Sequence, residues 1–319
     1  MGRDESSPRD IPKPPDPLRR RAPLPGSLPK SEAEDPQAAL RVRRLLDSPA
    51  YREGSEDLDF LRSDAARGVR LDLDYLKPEL QLQRHGVTDA IVVFGSTRLV
   101  EPKAAVARLE AARRQAAAHP QDAARAQAVR RAERIVEKSR YYEVARQFGA
   151  LVGAAPELAG GGRLAIVTGG GPGLMEAANR GAFEAGGKSV GLNITLPHEQ
   201  FPNPYVTPDL CLRFHYFAIR KMHFLLRARA LVAFPGGFGT MDEIFEILTL
   251  AQTRKIEPLP IILVGKEFWR RAFDVEFLVE EGVIDPEDRD LFWHAESAEE
   301  IWEDILYWRQ RAGRPLIGR

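Results

Sequence analysis

Six short apolar runs recur between residues 90 and 264 and predict buried β-strands. They occupy residues 90–94, 164–168, 189–192, 210–214, 230–234 and 260–264. Most are apolar at nearly every position, which is typical of strands covered on both faces. The intervening stretches have helical spacing of apolar positions. Strands alternating with helices predict an α/β fold, with a doubly wound, mainly parallel sheet and helices on both faces.

The intervening stretches predict several helices. Residues 103–118 and 121–152 are rich in Ala, Arg and Glu and predict two helices split at Pro120. Further helices are expected over residues 174–185, 215–229 and 241–252, and residues 266–310 are expected to be mostly helical.

The N-terminal quarter has a different character. Residues 1–36 are rich in proline and arginine and are expected to form a disordered tail. In residues 37–85 apolar positions recur at helical spacing between Pro49, Gly54 and Gly68, which predicts an N-terminal helical extension. The nucleotide-binding catalytic domain is then expected over residues 86–315.

Three predicted strands end in segments rich in glycine or hydroxyl groups. These segments are residues 95–98 (Gly-Ser-Thr-Arg), 169–173 (Gly-Gly-Gly-Pro-Gly) and 236–240 (Gly-Gly-Phe-Gly-Thr). Ligands of doubly wound sheets bind beyond the carboxyl ends of the strands, which share one edge. We therefore expect the three segments to converge on one ligand site.

The third segment has the strongest chemical signal. Its glycines leave backbone N–H groups uncovered, and the helix that follows directs the positive end of its dipole to the same place. Such a turn is suited to holding an anion, most often a phosphate. Glu243 is expected on the first turn of this helix. A carboxylate beside a phosphate site predicts chemistry on a phosphorylated molecule.

Composition narrows the range of partners and compartments. The chain of 319 residues has 46 basic and 46 acidic side chains, so its formal net charge is zero. This balance gives no general attraction to nucleic acid or to an acidic membrane. Cys211 is the only cysteine, which excludes an intrachain disulfide. Without a long apolar stretch or a secretory signal, the protein is expected to be soluble and cytoplasmic.

Several common enzyme classes lack their motifs in this chain. Residues 169–176 do not match the dinucleotide fingerprint, because Leu174 and Glu176 stand where the last glycine is needed in the two possible registers. Neither a G-x-S-x-G motif nor a P-loop is present. His215 and His223 are eight residues apart, too far for a two-histidine metal face. We expect no metal and no cofactor.

Three motifs together resemble those of the Lonely Guy (LOG) family. They are residues 169–176 (Gly-Gly-Gly-Pro-Gly-Leu-Met-Glu), Arg220-Lys221 and residues 235–243 (Pro-Gly-Gly-Phe-Gly-Thr-Met-Asp-Glu). This family comprises nucleoside 5′-monophosphate phosphoribohydrolases, formerly described as lysine decarboxylase-like. The resemblance spans residues 88–265. It implies a Rossmann-like fold, no metal, and a homodimer or larger homo-oligomer. Glu176 stands where short plant members have glycine, so the chain resembles the longer bacterial branch.

The resemblance also implies the roles of individual residues. Arg220 and Glu243 correspond to the essential catalytic arginine and glutamate of the family. The remaining expected substrate- or phosphate-binding residues are Gly95, Ser96, Arg98, Gly170, Gly171, Gly173, Met175, Glu176, Lys221, Gly236, Gly237, Gly239 and Thr240.

The resulting hypothesis is hydrolysis of the N-glycosidic bond of a nucleoside 5′-monophosphate, either AMP-like or a cytokinin riboside monophosphate. The products are the free base and ribose 5-phosphate. Glu243 either stabilises the positive charge that develops on the ribose or orients the attacking water, and Arg220 binds the departing base or the phosphate. One alternative is a non-catalytic nucleotide- or cofactor-binding carrier. A pyridoxal-phosphate decarboxylase with Lys221 as the Schiff-base lysine is another.

Overall fold

The computed structural model describes residues 13–16, 18–19, 22, 24, 26, 30–158, 161–197 and 201–317. The chain divides into two compact units, Met1–Val69 and Arg70–Arg319. The first unit contains α1 (Ala38–Leu46), α2 (Leu58–Arg62) and the short 3₁₀ helices Pro49–Tyr51 and Asp64–Ala66. Much of the predicted tail at residues 1–36 lies outside the described residues, and its disorder stays a prediction.

The second unit is built on a seven-stranded sheet, within the described residues. Its strands are β1 (Ala90–Phe94), β2 (Ala165–Thr168), β3 (Lys188–Ile194), β4 (Cys211–Phe214), β5 (Ala228–Ala233), β6 (Ile261–Val264) and β7 (Trp293–Ala295). All neighbouring strands pair in parallel. The predicted α/β fold with a doubly wound sheet is confirmed.

The order of the strands locates a topological switch point. The order is β4-β3-β2-β1-β5-β6-β7, so the chain builds outward from β1 to β4 and then returns to place β5 beside β1. Adjacent connections therefore leave β1 and β5 in opposite directions. This arrangement opens a crevice at the carboxyl ends of those two strands, which is where such sheets bind ligands.

Helices cover both faces of the sheet. The helices that follow α2 are α3 (Arg67–Arg84), α4 (Pro102–Ala118), α5 (Ala123–Lys138), α6 (Arg140–Gly153), α7 (Leu174–Glu184), α8 (Phe217–Leu226), α9 (Phe238–Gln252), α10 (Lys266–Ala272), α11 (Val275–Glu280) and α12 (Ala298–Arg311).

Side chains of β1 alternate between the two faces, as the pleat requires. Ile91 and Val93 join an apolar cluster with residues of α6, α7 and α12. Val92 and Phe94 join a second cluster with residues of α3, α8 and α9. Both faces of the strand are therefore buried, which explains its uninterrupted apolar run.

Glycines let α6 and α7 pack backbone against backbone. A Cβ on Gly149 would overlap the carbonyl oxygen of Ala178, and one on Gly181 would overlap that of Arg146. Without side chains at these positions, the two helices approach closely. This contact helps to fix the start of α7, where one of the glycine-rich strand-end segments enters the helix.

Two local expectations were wrong, and a third, that residues 266–310 are mostly helical, holds but missed a short strand. The break after α5 falls at Ser139, whose buried hydroxyl donates to the Val136 carbonyl (2.7 Å), so the helix expected over residues 121–152 is two helices. The stretch 266–310 contains β7, three residues long and only partly buried. Helix α9 begins at Phe238 with Gly237 as its N-cap, so Gly239 and Thr240 are helical and Glu243 lies on the second turn.

No helix within the described ranges is both long and apolar enough to cross a bilayer.

Candidate active site

A cleft of about 550 Å³ lies at the switch point of the sheet. The segments that follow β1, β2 and β5 line it together with parts of β3, α8 and α9. Ten of the residues predicted for the site line this cleft: Gly95, Ser96, Arg98, Gly171, Met175, Arg220, Gly237, Gly239, Thr240 and Glu243. The expected convergence of three strand ends is therefore present in the structure.

Backbone hydrogen bonds of Ser96 tie the three segments together. The Ser96 N–H donates to the carbonyl of Pro235 (3.0 Å), at the end of β5. The Ser96 carbonyl accepts from the N–H of Leu174 (3.1 Å), the first residue of α7. A Cβ on the neighbouring Gly95 would lie 2.8 Å from Leu174 Cβ, so this position requires a glycine. The segment after β1 thus fixes the positions of the other two segments relative to each other.

A buried polar network fixes the segment after β2. Thr168 Oγ1 donates to Asn179 Oδ1 (2.7 Å) and accepts from the N–H of Gly170 (2.9 Å). Asn203 Nδ2 donates to the Gly171 carbonyl and to Asn179 Oδ1, both at 3.0 Å. Asn179 Nδ2 in turn donates to Ser189 Oγ (2.9 Å).

Sequence analysis did not identify this network. A usable signal was Asn179 itself, a polar residue among the buried alanines of α7.

The start of α9 is open and lacks a side-chain cap. Its N-cap is Gly237, and Cβ atoms placed on Gly237 or Gly239 would meet nothing within 4 Å. The first N–H groups of a helix have no intrahelical acceptor, and they carry the positive end of the helix dipole. A phosphate at this position receives hydrogen bonds directly from the backbone.

Arg220 and Glu243 form a buried ion pair on the facing helices α8 and α9. The distance between Arg220 Nη2 and Glu243 Oε1 is 3.7 Å, and their side chains are 14% and 4% exposed. This separation is too long for a hydrogen bond. Arg220 Nε is buried and has no hydrogen-bond partner among the described residues. The pair therefore keeps unused hydrogen-bonding capacity, and both of its residues line the cleft.

Burial dominates the ionisation of this pair. It raises the pKa of Glu243 to about 7, although the positive charges of Lys221 and Arg220 act in the opposite direction. Burial also lowers the pKa of Arg220, against the attraction of Glu243. Glu243 is thus poised between its neutral and charged forms at neutral pH.

Five predicted residues do not line the cleft: Gly170, Gly173, Glu176, Lys221 and Gly236. Gly170 and Gly173 adopt positive φ and shape the loop after β2. A Cβ on Gly236 would overlap the Thr240 side chain. Glu176 accepts a hydrogen bond from the Tyr142 hydroxyl (2.9 Å).

Lys221 turns away from Arg220 and binds acids of α9. Its Nζ lies 2.8 Å from Glu246 Oε2 and 2.9 Å from Asp242 Oδ2. Burial alone would lower the pKa of Lys221, but these two hydrogen bonds raise it on balance. A Schiff base requires a neutral amine facing the ligand, and this ammonium group satisfies neither condition.

Part of the cleft wall is apolar. Phe217, Phe238, Leu196, Ile194 and Met175 contribute to it, and Phe238 is 92% exposed. Flat apolar side chains beside an anion-binding helix start suit a ligand with one charged end and one aromatic end. In the described part of the chain, no group of His, Cys, Asp and Glu side chains is arranged to hold a metal ion.

Fold and cleft together define an α/β protein with a ligand cleft at the switch point of its sheet, and comparison with known sequences shows which proteins it resembles. The family model described as "possible lysine decarboxylase" matches residues 175–305. A probable cytokinin riboside 5′-monophosphate phosphoribohydrolase of Oryza sativa subsp. japonica is 26% identical over 168 residues, which cover 49% of this chain and 74% of the relative. Cytokinin riboside 5′-monophosphate phosphoribohydrolase LOG1 of Arabidopsis thaliana is 30% identical over 141 residues.

Over the matched residues the chain is similar to proteins of the Lonely Guy family. The match with the Arabidopsis relative covers 43% of this chain and 64% of the relative, so more than half of this chain lies outside the match and the chain spans less than two thirds of that relative's length.

Solved structures with a related fold include the molybdenum cofactor carrier protein from Chlamydomonas reinhardtii. It is 18% identical, with 71% of this chain and 99% of that chain covered at a TM-score of 0.38. Likeness at this level carries no functional argument.

Proposed function

We propose that this protein hydrolyses the N-glycosidic bond of nucleoside 5′-monophosphates and releases the free base and ribose 5-phosphate. The observation that carries the proposal is the position of Glu243. This buried carboxyl lies one turn beyond an open, uncapped helix start and 3.7 Å from a buried arginine. The similarity to the Lonely Guy family supports the same reaction.

The start of α9 holds the 5′-phosphate in this proposal. Backbone N–H groups near Gly237 and Gly239 bind its oxygens, and the open space above both glycines accommodates them. Binding the phosphate places the ribose next to Glu243 and directs the base toward Phe217 and Phe238. Binding energy from the phosphate, which does not react, is thereby used to position the bond that breaks.

Bond cleavage moves positive charge onto the ribose. The glycosidic electron pair leaves with the base, which takes up a proton, and water adds to C1′ of the sugar. The carboxylate form of Glu243 stabilises the oxocarbenium-like transition state or accepts the proton of the attacking water. With a pKa near 7, Glu243 is available in this form at neutral pH. Arg220 contributes donors to the base or the phosphate.

The direct test is a panel of nucleoside 5′-monophosphates, with and without a prenylated adenine, assayed for free base by chromatography. Glu243→Gln keeps the size and burial of the side chain but cannot ionise. We expect it to lower base release by at least about a hundredfold, because it removes the charge that stabilises the transition state.

Asp242→Asn is the matched control, since it removes one carboxylate from the adjacent position of α9. Asp242 is half-exposed and bonded to Lys221, outside the cleft. We expect its activity to stay close to that of the wild type. Equal activities of Glu243→Gln and the wild type would exclude the role given to Glu243. Nucleotide binding without release of base from any substrate would instead indicate a carrier.

A further inference from the structure

A second depression adjoins the nucleotide cleft and is lined by positive charge. It has a volume of about 360 Å³ and is bounded by the segment after β1 and by one face of α5. We call it the basic trough, and its charged and polar long side chains are Arg98, Gln127, Arg130, Arg131, Arg134 and Lys138. The residues from α5 recur at helical spacing, so they share one side of that helix.

The charge of the trough contrasts with the balance of the whole chain. The chain carries equal numbers of basic and acidic residues, yet among the residues that the structure describes no acidic side chain lines the trough. Glu137 lies just outside and pairs with Arg134 (2.9 Å). Arg98, Arg130 and Arg131 have no acidic partner within 4.0 Å among the described residues. The positive charges of these three guanidinium groups are therefore not balanced by a nearby carboxylate.

The trough shares lining residues with the cleft that contains the site proposed for the 5′-phosphate. Ser96 and Arg98 line both the trough and the cleft that contains Gly237 and Gly239. Farther along α5, Arg134 and Lys138 line a third depression together with Met241, which follows Thr240 on α9. The basic side chains Arg134 and Lys138 of α5 therefore lie near the start of α9.

Guanidinium groups match phosphate better than other anions of this size, because they donate paired hydrogen bonds in one plane. The trough is short, and its other lining residues are Ser96, Leu99 and Ile135, so the described part of the chain offers no aromatic ring there on which a base could stack. These features favour a compact phosphate chain over a nucleic acid strand.

We propose that the basic trough receives phosphate groups attached beyond the 5′-phosphate, so that nucleoside 5′-di- and triphosphates are ligands of this cleft. The inference rests on the proposed function for the position of the first phosphate. Arg130 and Arg131 are the residues that distinguish a diphosphate from a monophosphate. The helical hairpin of α4 and α5, inserted between β1 and α6, supplies both.

The test is binding of AMP, ADP and ATP to the full-length Glu243→Gln protein, in which turnover is suppressed, measured by calorimetry at low salt. We expect ADP to bind at least about tenfold more tightly than AMP. Adding Arg130→Ala and Arg131→Ala should bring the two affinities to within about twofold, because the second phosphate loses its donors. The affinity for AMP should change little.

The matched control is Arg108→Ala with Arg114→Ala on α4, which removes the same charge from the other helix of the hairpin. These residues do not line the trough, so the preference for ADP should persist. An unchanged preference in the Arg130 and Arg131 variant, or no preference in the parent, overturns the proposal. So does tripolyphosphate that binds beside AMP with the same dependence on Arg130 and Arg131, since the trough is then an independent polyphosphate site.

Release of base separates this proposal from the proposed function. If AMP is hydrolysed but ADP gains nothing from Arg130 and Arg131, the trough assignment fails and the hydrolase assignment stands. If ADP binds through these arginines and the otherwise wild-type protein releases no base from any nucleotide, the trough assignment stands and the hydrolase assignment fails.

Discussion

The glycine-rich segments after β2 and β5 face the same cleft but are built differently. Behind the first, Thr168, Asn179, Ser189 and Asn203 exchange hydrogen bonds among themselves and with the loop backbone. Behind the second, Glu243 and Arg220 are buried 3.7 Å apart without a hydrogen bond between them. The polar side chains behind the first segment have their hydrogen-bond partners, whereas the two behind the second segment are incompletely hydrogen-bonded.

The glycines of the two segments also differ, in the space around them. Gly173 has a φ of 78°, and a Cβ there would overlap the backbone of Ser96. Gly237 and Gly239 have empty space around them. In the first segment glycine permits close packing, whereas in the second it leaves backbone donors accessible.

This difference distinguishes a structural polar group from one available to a ligand. A fully bonded buried network holds a backbone in one shape. A buried charge pair without full hydrogen bonding has a desolvation cost that a ligand can offset. The segment after β2 therefore shapes the cleft, and we expect the segment after β5 with its ion pair to bind the ligand and act on it.

The largest expected effect on stability comes from breaking the network. Asn179→Ala removes the acceptor of Thr168 and Asn203 and the donor to Ser189. We expect the free energy of unfolding to fall by about 3 to 4 kcal/mol, because several buried groups lose partners. Denaturant titration measures this change.

Asn193→Ala is the matched control for the network. Asn193 lines the cleft and has one side-chain hydrogen bond, a long one from Cys211 Sγ (3.5 Å). Its unfolding midpoint should stay near that of the wild type. Equal midpoints for the Asn179 variant and the wild type would show that the network does not brace the loop.

The next prediction concerns Glu243 in the ion pair. Here the substitution is expected to raise the free energy of unfolding, and the size of the gain depends on pH. Because the pKa of Glu243 is raised from 4.5 to about 7 in the folded protein, the folded state binds more protons between these values. The wild type therefore loses stability as pH rises through this window. Glu243→Gln avoids the loss, so its advantage should be near zero below pH 4.5 and reach about 3 kcal/mol above pH 7.

Unfolding free energies of both proteins at several pH values from about 4.5 to 8 measure this difference. Glu246→Gln, which removes a carboxylate bonded to Lys221 on the same helix, is the charge-removal control for this measurement. Arg220, Lys221, Asp242 and Glu246 remain unchanged in the Glu243 variant, so the comparison isolates one carboxyl. A difference that is flat with pH would contradict the raised pKa.

Much of the architecture follows from local sequence patterns. The buried strand over residues 90–94 was predicted with its observed bounds, because a strand covered on both faces needs an uninterrupted apolar run. β7 escaped prediction because three residues at the sheet edge, including His294, need no such run. The break at Ser139 escaped because neither proline nor glycine marks it.

The candidate site was predictable where its residues are close in sequence. The glycines and Glu243 lie within one motif, and parallel strand ends bring the other segments to them. The bracing network joins side chains 10 to 24 residues apart, so no local pattern contains it. Lys221 was expected to contact the ligand, but its side chain instead points to acidic residues of α9. Assembly as a homodimer or larger homo-oligomer stays a prediction from the family resemblance.

The smallest effect on stability tests the open glycines. Gly239→Ala places a methyl group in empty space on the first turn of α9, where alanine is the better helix former. We expect a gain of about 0.5 to 1 kcal/mol in unfolding free energy. The same methyl group lies over the N–H groups proposed to bind phosphate, so the KM for AMP should rise about tenfold. Gly173→Ala is the counterpart, and it should lower stability because its φ suits only glycine. A Gly239→Ala variant that is more stable and binds AMP normally would remove the start of α9 from the ligand site.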